Sequence, residues 1–431
     1  MQTISQMPPN SHSGPDWLGR YYTKDSISHL LVSLMVPERP GTVLDLGSGD
    51  GALAVAAARR WRHSQLITVD IDQDAIATRL AITDYESHFK HYHVKTDALA
   101  LDLPHQIGVP VGSVDAAVCN PPYTRLPWRK GYAELLEEVG LSNAYPVIKE
   151  VSADVIFIAQ NLRLLRDGGQ LGLIVPDGLI SGVKTAEVRK SLIIQHQIDG
   201  VIKLPQRVFI GTEAQAHILL LSKVRNNNGL IKLMDFGETG RLSEPIFIPS
   251  EEGIKRLDYD YFKFRKTQQI SRSDTPTKSL IQLGASLTRG TLNSRQAKEA
   301  NFPVFHTSDF PDHRLGCMLR VPRGLNLPKS IAESLQLITA EPGDILLARV
   351  GRGLENKVCM ITSGSVAITD CVYRLRVPIE LRQLIIKALA SNSGRAFLKA
   401  VSHGVGAKHL SMQDLLDFSY NDIQTGPTWM T

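Results

Sequence analysis

Residues 43–51 read VLDLGSGDG, an apolar run that passes straight into Gly47, Gly49 and Gly51. A strand closing on such a turn brings backbone N–H groups close to a ligand, because glycine has no side chain to hold it away. The spacing is GxGxG, which departs from the GxGxxG that cradles a dinucleotide pyrophosphate. The next β-rich run, LITVD at 66–70, ends on Asp70, 19 positions beyond Gly51. That is close to the roughly 20 expected before an acidic residue that accepts ribose hydroxyls.

Outward from this segment, β-rich runs alternate with helical stretches from 41 to 223: TVLDL (42–46), LITVD (66–70), DAAVC (115–119), LGLIV (171–175) and AHILLL (216–221). That rhythm predicts a parallel, doubly wound α/β sheet. A helix is expected before the first strand, within 17–36, with Thr23 and Asp25 as caps. At 431 residues the chain is long enough for two domains, each with its own core. Residues 225–275 contain RNNNG, EEG and a charged, Tyr-rich stretch with little periodicity, so the connection is expected there. The domains then run 1–230 and 276–431, joined by 231–275. Beyond the connection, short strands with Gly and Pro turns precede one helix at about 379–402, an α+β pattern.

The formal charge is +5, and after residue 275 there are 18 Lys and Arg against 12 Asp and Glu. A basic C-terminal part beside a near-neutral N-terminal part suits a module holding a polyanion next to one that binds a small cofactor. Cys119, Cys317, Cys359 and Cys371 have no CxxC spacing, which argues against zinc and against a disulfide scaffold. No metal is expected, since no metal-ligand spacing links His306, His403 and His409 either. With no bilayer-length apolar run and a polar N-terminus, the chain is expected in the cytoplasm, without a membrane partner.

Three carboxylates surround the glycine turn in a pattern that fits S-adenosylmethionine. Asp70 would accept the ribose hydroxyls, Ile71 would face the adenine ring, and Asp97, beside Ala98 in KTDAL, would accept from the adenine amino group. Asp45 would face the methionine ammonium. Residues 115–123 read DAAVCNPPY, a buried strand ending in Asn120-Pro121-Pro122-Tyr123. Two prolines fix φ and remove backbone donors, so the Asn120 side chain and the Pro121 carbonyl are held rigidly at the sheet's C-terminal edge, within reach of cofactor and substrate. An exocyclic amine on an aromatic base is a poor nucleophile because its lone pair is delocalised. Two acceptors gripping its N–H groups pull the nitrogen toward tetrahedral geometry and aim the lone pair at an activated methyl. Tyr123 would stack on the target base once it has left the duplex. In the following TRLPWRKGYAE (124–134), Arg125, Trp128, Arg129 and Lys130 interleave an aromatic with cations, as a loop touching DNA would.

These residues resemble the gamma class of N6-adenine DNA methyltransferases, and in particular the modification subunits of type I restriction systems. The resemblance covers 18–223 and implies a Rossmann-like S-adenosylmethionine-dependent sheet followed by a target-recognition domain. GRYYTKDSI is similar to the family's first motif, which implies that Tyr22 and Thr23 line the methionine end of the cofactor; Lys24 stands where proline is usual. LPQRVFIGTEAQAHILLLSK (204–223) is similar to a later strand pair and implies that Phe209 packs the other face of the flipped base. VFHTSDF (304–310), PGDILLARVGRG (342–353) and GVGAKHLSMQDLLDF (404–418) resemble segments of type I specificity subunits, which implies DNA reading near Arg349, Arg352 and Lys357. Double-stranded DNA is the expected partner. Only one recognition unit is evident, so the site is either short and continuous or completed by a second copy, and any cutting needs a separate nuclease. N4-cytosine, RNA guanine or protein glutamine as target, or a DNA-binding regulator without catalysis, are the competing readings.

Overall fold

The computed structural model describes residues 24–72, 90–144, 149–206, 215–225, 229–270, 278–311, 316–321, 326–404 and 407–420. Tyr22, Thr23 and Phe209 lie outside them. The chain divides into two compact units, Met1–Leu257 and Asp258–Thr431. The division falls inside the segment 231–275 expected to connect the domains.

The strands of the first unit are β1 (Thr42–Leu46), β2 (Gln65–Asp70), β3 (Lys90–Lys95), β4 (Val114–Cys119), β5 (Arg125–Pro127), β6 (Glu150–Ser152), β7 (Leu165–Pro176), β8 (Gln197–Lys203), β9 (Ala216–Ser222), β10 (Leu230–Asp235) and β11 (Ile246–Pro249). Nine of them form one sheet in the order β11-β10-β8-β9-β7-β4-β1-β2-β3. From β3 through β7 every pairing is parallel. Strand β9 runs antiparallel to both β7 and β8, and β11 is antiparallel to β10. The parallel doubly wound sheet predicted from the sequence is therefore present with β9 reversed inside it, and β10 and β11 extend it beyond the expected boundary at 230. Strands β1, β4 and β9 are buried almost throughout, which is why they read as continuous apolar runs.

Chain order sets the position of the crevice. From β1 the chain passes to β2 and β3 on one side, whereas from β4 it passes to β7 on the other. The C-terminal ends of the adjacent strands β1 and β4 thus flank a topological switch point, where α/β sheets open a cleft. Gly47 and Asn120 are the residues that immediately follow these two strands.

The helix Asp25–Leu34 packs on the sheet through Leu31 and Met35. Gly172 in β7 makes that packing possible, since a Cβ there would stand 2.7 Å from Leu31 Cδ2 and 3.0 Å from Met35 Sδ. Asp25 was expected as a cap; it is instead the first helical residue, where its charge faces the positive end of the helix, and Lys24 occupies the cap position in extended backbone. On another face, Arg189 is only 1% exposed. Its guanidinium donates to the carbonyls of Leu179 (2.9 Å), Gly182 (2.8 Å), Ile254 (3.1 Å) and Lys255 (2.6 Å) and to Thr185 Oγ1 (2.8 Å). It ties the turn after β7 to the helix Ser250–Lys255 that follows β11.

The second unit has its own core, in which Leu346, Ile361, Leu375, Ile385, Leu389 and Leu398 are buried together. Its five-stranded sheet runs Ser286–Arg289, Val372–Arg376, Ile345–Ala348, Val358–Ser363, Cys317–Arg320. Tyr261 and Phe264, from the helix Tyr259–Ile270, pack against this core. The single helix expected at 379–402 is two, Arg382–Ala390 and Asn392–Val401. Ser391 breaks it: its backbone is extended (ψ 165°) and its hydroxyl accepts from Gly394 N–H at 3.1 Å, capping the second helix. Among the described residues no helix is long and apolar enough to cross a membrane.

Because the buried Arg189 donates to four backbone carbonyls at once, one buried and three part-buried, Arg189→Met is expected to lower the unfolding free energy by on the order of 3 kcal/mol in urea denaturation, the cost of orphaning several of them. A loss below about 1 kcal/mol would show that the turn holds without this clamp.

Candidate active site

The glycine turn after β1 is fixed by β2. Gly47 and Ser48 N–H groups donate to Val69 O at 2.8 and 3.1 Å, and Gly49 N–H donates to Asp70 Oδ2 at 2.7 Å. Asp72 N–H donates to Asp70 Oδ1 at 2.9 Å, so both oxygens of a nearly buried carboxylate are oriented by backbone and each keeps a lone pair. Gly47, Gly49 and Gly51 have φ of 70°, 51° and 83°, a region that side chains disfavour. At Gly47 a Cβ would also stand 3.0 Å from Phe157 Cε1.

A pocket of about 360 Å³ opens at the switch point. Among the residues singled out in the sequence, Asp45, Gly47, Gly49, Asp70, Ile71, Asp97, Ala98, Asn120, Pro122, Arg125 and Arg129 line it. Gly51, Pro121, Tyr123, Trp128 and Lys130 are not part of the lining. Gly51 instead caps the helix Ala52–Arg60, and the half-buried Tyr123 packs against the apolar cluster around Ile27, Leu31 and Ile174. Phe157, Thr124, Leu126 and Pro127 line the pocket without having been read from the sequence. Phe157 sits in ADVIFIAQ, on a helix buried on nearly every side, and nothing in that run separates it from core phenylalanine.

Asp45 is 1% exposed, and neither carboxylate oxygen has a hydrogen-bond partner in normal geometry. Burial, then the negative charges of Asp70 and Asp50, hold its carboxyl well above the usual carboxylate range. Such a group is a seat for a cation or for a donor. Asp97, just past β3, accepts Leu99 N–H on Oδ1 (2.9 Å) and Arg129 Nη1 on Oδ2 (2.6 Å).

Downstream of Asn120 the chain forms a small arm. Strands β5 and β6 pair antiparallel, Arg125 and Glu150 approach to 3.8 Å, and Ala153 N–H donates to Thr124 O at 3.0 Å. Trp128 is half-buried, edge-on to Tyr132 with ring centroids 6.0 Å apart, whereas Lys130 is exposed. In the second unit, Arg349 Nε donates to Asp370 O (2.5 Å) and Lys357 Nζ to Thr307 O (3.1 Å), while Arg352 is exposed. Asp370 also pairs with Arg289 at 2.8 Å, and these two arginines hold its carboxyl below the usual range against burial, which raises it.

A family model described as N-6 DNA Methylase matches residues 10–273. A methylase subunit of the type I restriction enzyme MpnII from Mycoplasma pneumoniae is 28% identical over 231 residues, covering 50% of this chain and 42% of that protein. The type II methyltransferase M.BsuBI of Bacillus subtilis is 22% identical over 358 residues, covering 73% of this chain and 67% of that one. Of solved structures, a type I restriction-modification methyltransferase subunit from Streptococcus thermophilus aligns with TM-score 0.43 and 21% identity over 60% of this chain and 55% of that chain. The chain spans less than half the length of the first of these relatives.

Asp45→Asn is expected to stabilise the ligand-free chain at pH 7.5 by on the order of 1–3 kcal/mol, since it removes a carboxyl whose charged form is disfavoured by burial and by Asp70 and Asp50. A carboxyl whose pKa is raised on folding costs stability as pH rises above its unfolded value. The gain should therefore shrink as pH is lowered toward the ordinary value of 3.8. Thermal melts of both proteins across that range check it, and an equal or lower melting temperature for Asp45→Asn at pH 7.5 would refute it.

Proposed function

The chain belongs to the N-6 DNA methylase family, and from that premise we propose that it transfers a methyl group from S-adenosylmethionine to the exocyclic N6 of adenine in double-stranded DNA. The observation that carries the reading is one pocket in which Asn120 and Pro122, at the end of β4, share the lining with the glycine turn and Asp45, Asp70 and Asp97.

The pocket fits the cofactor. Asp45, buried beside two further carboxylates, suits an ammonium group. Asp70, with one lone pair left on each oxygen, suits a pair of ribose hydroxyls, and the half-exposed Ile71 offers an apolar surface to a purine. Phe157 supplies an aromatic wall beside Gly47, an environment that favours a cationic sulfonium. Tyr22 and Thr23 belong to the same proposal through the first motif. S-adenosylmethionine, when bound, supplies a methyl activated by its sulfonium, which leaves as a neutral thioether.

What this chain's own residues do is position. The Asn120 side-chain oxygen and the Pro121 carbonyl would accept from the two amine hydrogens of adenine, which would localise the nitrogen lone pair toward the donated methyl, and one amine proton would pass to solvent. Stacking of the base, which must leave the duplex to reach a pocket at a sheet edge, is assigned to Tyr123 and Phe209 from the motif pattern alone, with Tyr123 packed in this structure against the apolar cluster around Ile27. We read the motif order, glycine turn before NPPY and a further unit after it, as that of the gamma class. The Asp258–Thr431 unit is then the target-recognition part, with Arg349, Arg352 and Lys357 in the region that meets DNA. Arg125 and Lys130 face the DNA from the arm, and Trp128 anchors it. The site read by this unit is either short and continuous or completed by a second copy, and any cleavage would need a separate nuclease.

In a host without adenine methylation, expression of the wild-type chain is expected to put N6-methyladenine at one short motif, read by modified-base sequencing. Asn120→Ala should lower kcat by about two to three orders of magnitude, with cofactor affinity nearly unchanged, while Asp70→Ala should weaken cofactor binding. Normal methylation by Asn120→Ala would sink the mechanism, and cofactor binding without any modified adenine would move the substrate elsewhere.

A further inference from the structure

We infer that Arg129 is a positioning residue for the adenosine end of this pocket, holding Asp97 in orientation from the arm that follows Asn120; the inference rests on the cofactor reading above. In the sequence, Arg129 groups with Trp128 and Lys130 as a DNA-facing cation. Its guanidinium instead lies 2.6 Å from Asp97 Oδ2, and both residues line the pocket. The other oxygen, Oδ1, accepts Leu99 N–H at 2.9 Å. Each oxygen of the carboxylate therefore has one donor and one remaining lone pair, so the group is fixed in direction and still able to accept from a ligand.

A second contact binds the same two segments. Gly131 has φ of 101°, and a Cβ built on it would lie 3.4 Å from Leu101 Cβ, so the loop from 128 to 131 lies directly on the segment after Asp97. The backbone of that loop is itself held: Trp128 N–H donates to Lys149 O at 3.0 Å, and Arg129 O accepts Tyr132 N–H at 3.3 Å as the helix Tyr132–Glu138 begins. On the opposite side, Gln160 Nε2 and Arg163 Nη1 donate to the carbonyls of Ala100 and Leu101 at 2.8 and 2.6 Å. Asp97 is thus gripped between a firm backbone and a cation carried by the arm. With the two side chains 51% and 41% exposed, the pair is solvated and adds little to stability. What it supplies is direction: a fixed acceptor for a ligand's exocyclic amino group.

The test is calorimetric titration of the full chain with S-adenosylhomocysteine and with its 6-deamino analogue, which carries hydrogen in place of the adenine amino group. Arg129→Ala should weaken S-adenosylhomocysteine binding about three- to fivefold and leave the analogue unchanged, with Arg129→Lys between. The double variant with Asp97→Asn should bind no worse than Asp97→Asn alone, because Arg129 acts through that carboxylate. In turnover, the cofactor KM should rise by the same factor with kcat at saturation held. Unchanged or tighter binding by Arg129→Ala, equal weakening of both ligands, or full additivity with Asp97→Asn would each overturn the inference. Failure of the wild-type chain to bind either ligand would remove the cofactor reading, and this inference with it.

Discussion

Two backbone hydrogen bonds, from Gly47 and Ser48 to the carbonyl of Val69, set the geometry on which the pocket depends. They lock the end of β1 to the end of β2, so that Asp70 sits beside the turn and can accept Gly49 N–H in return. The turn closes only because Gly47, Gly49 and Gly51 take positive φ, and at Gly47 no side chain fits beside Phe157. Asp45 is buried beneath the same turn. Once this corner is fixed, the strand order does the rest: β4 lies beside β1 and delivers Asn120 to the same crevice.

Much of this was legible because it is local. A glycine turn, an acidic residue 19 positions later and a proline-locked tetrapeptide each state a backbone requirement within a few residues. Continuous apolar runs likewise mark strands buried on both faces. That same burial hides strand direction. AHILLL has no alternation to lose, so β9 read as one more parallel strand although it runs against both neighbours. Phe157 escaped for a related reason, since a helix apolar all round does not mark which face meets a ligand.

The remaining gaps are long-range or depend on single polar atoms. Arg129 and Asp97 stand 32 residues apart, and a surface ion pair leaves no periodicity. Arg349 and Lys357, expected near the DNA, each donate to a backbone carbonyl, of Asp370 and of Thr307, contacts that no local pattern announces. Ser391 interrupts a stretch that is helical by composition, because its hydroxyl satisfies a backbone N–H better as a cap than in mid-helix. The edge of the first unit was misjudged similarly: β10 and β11 are short and half-buried, so their pattern is faint, and only pairing with β8 makes them part of the sheet.

The buried carboxylate of Asp45 also bears on the life of the chain in a cell. A native state that keeps a carboxyl buried against its ordinary ionisation gains more from a bound cation than one that does not, and whatever binds the folded form alone draws the folding equilibrium toward it. Abundance then becomes a gauge of occupancy: chains with a filled pocket persist, whereas empty ones open more often and are the first to reach the proteases.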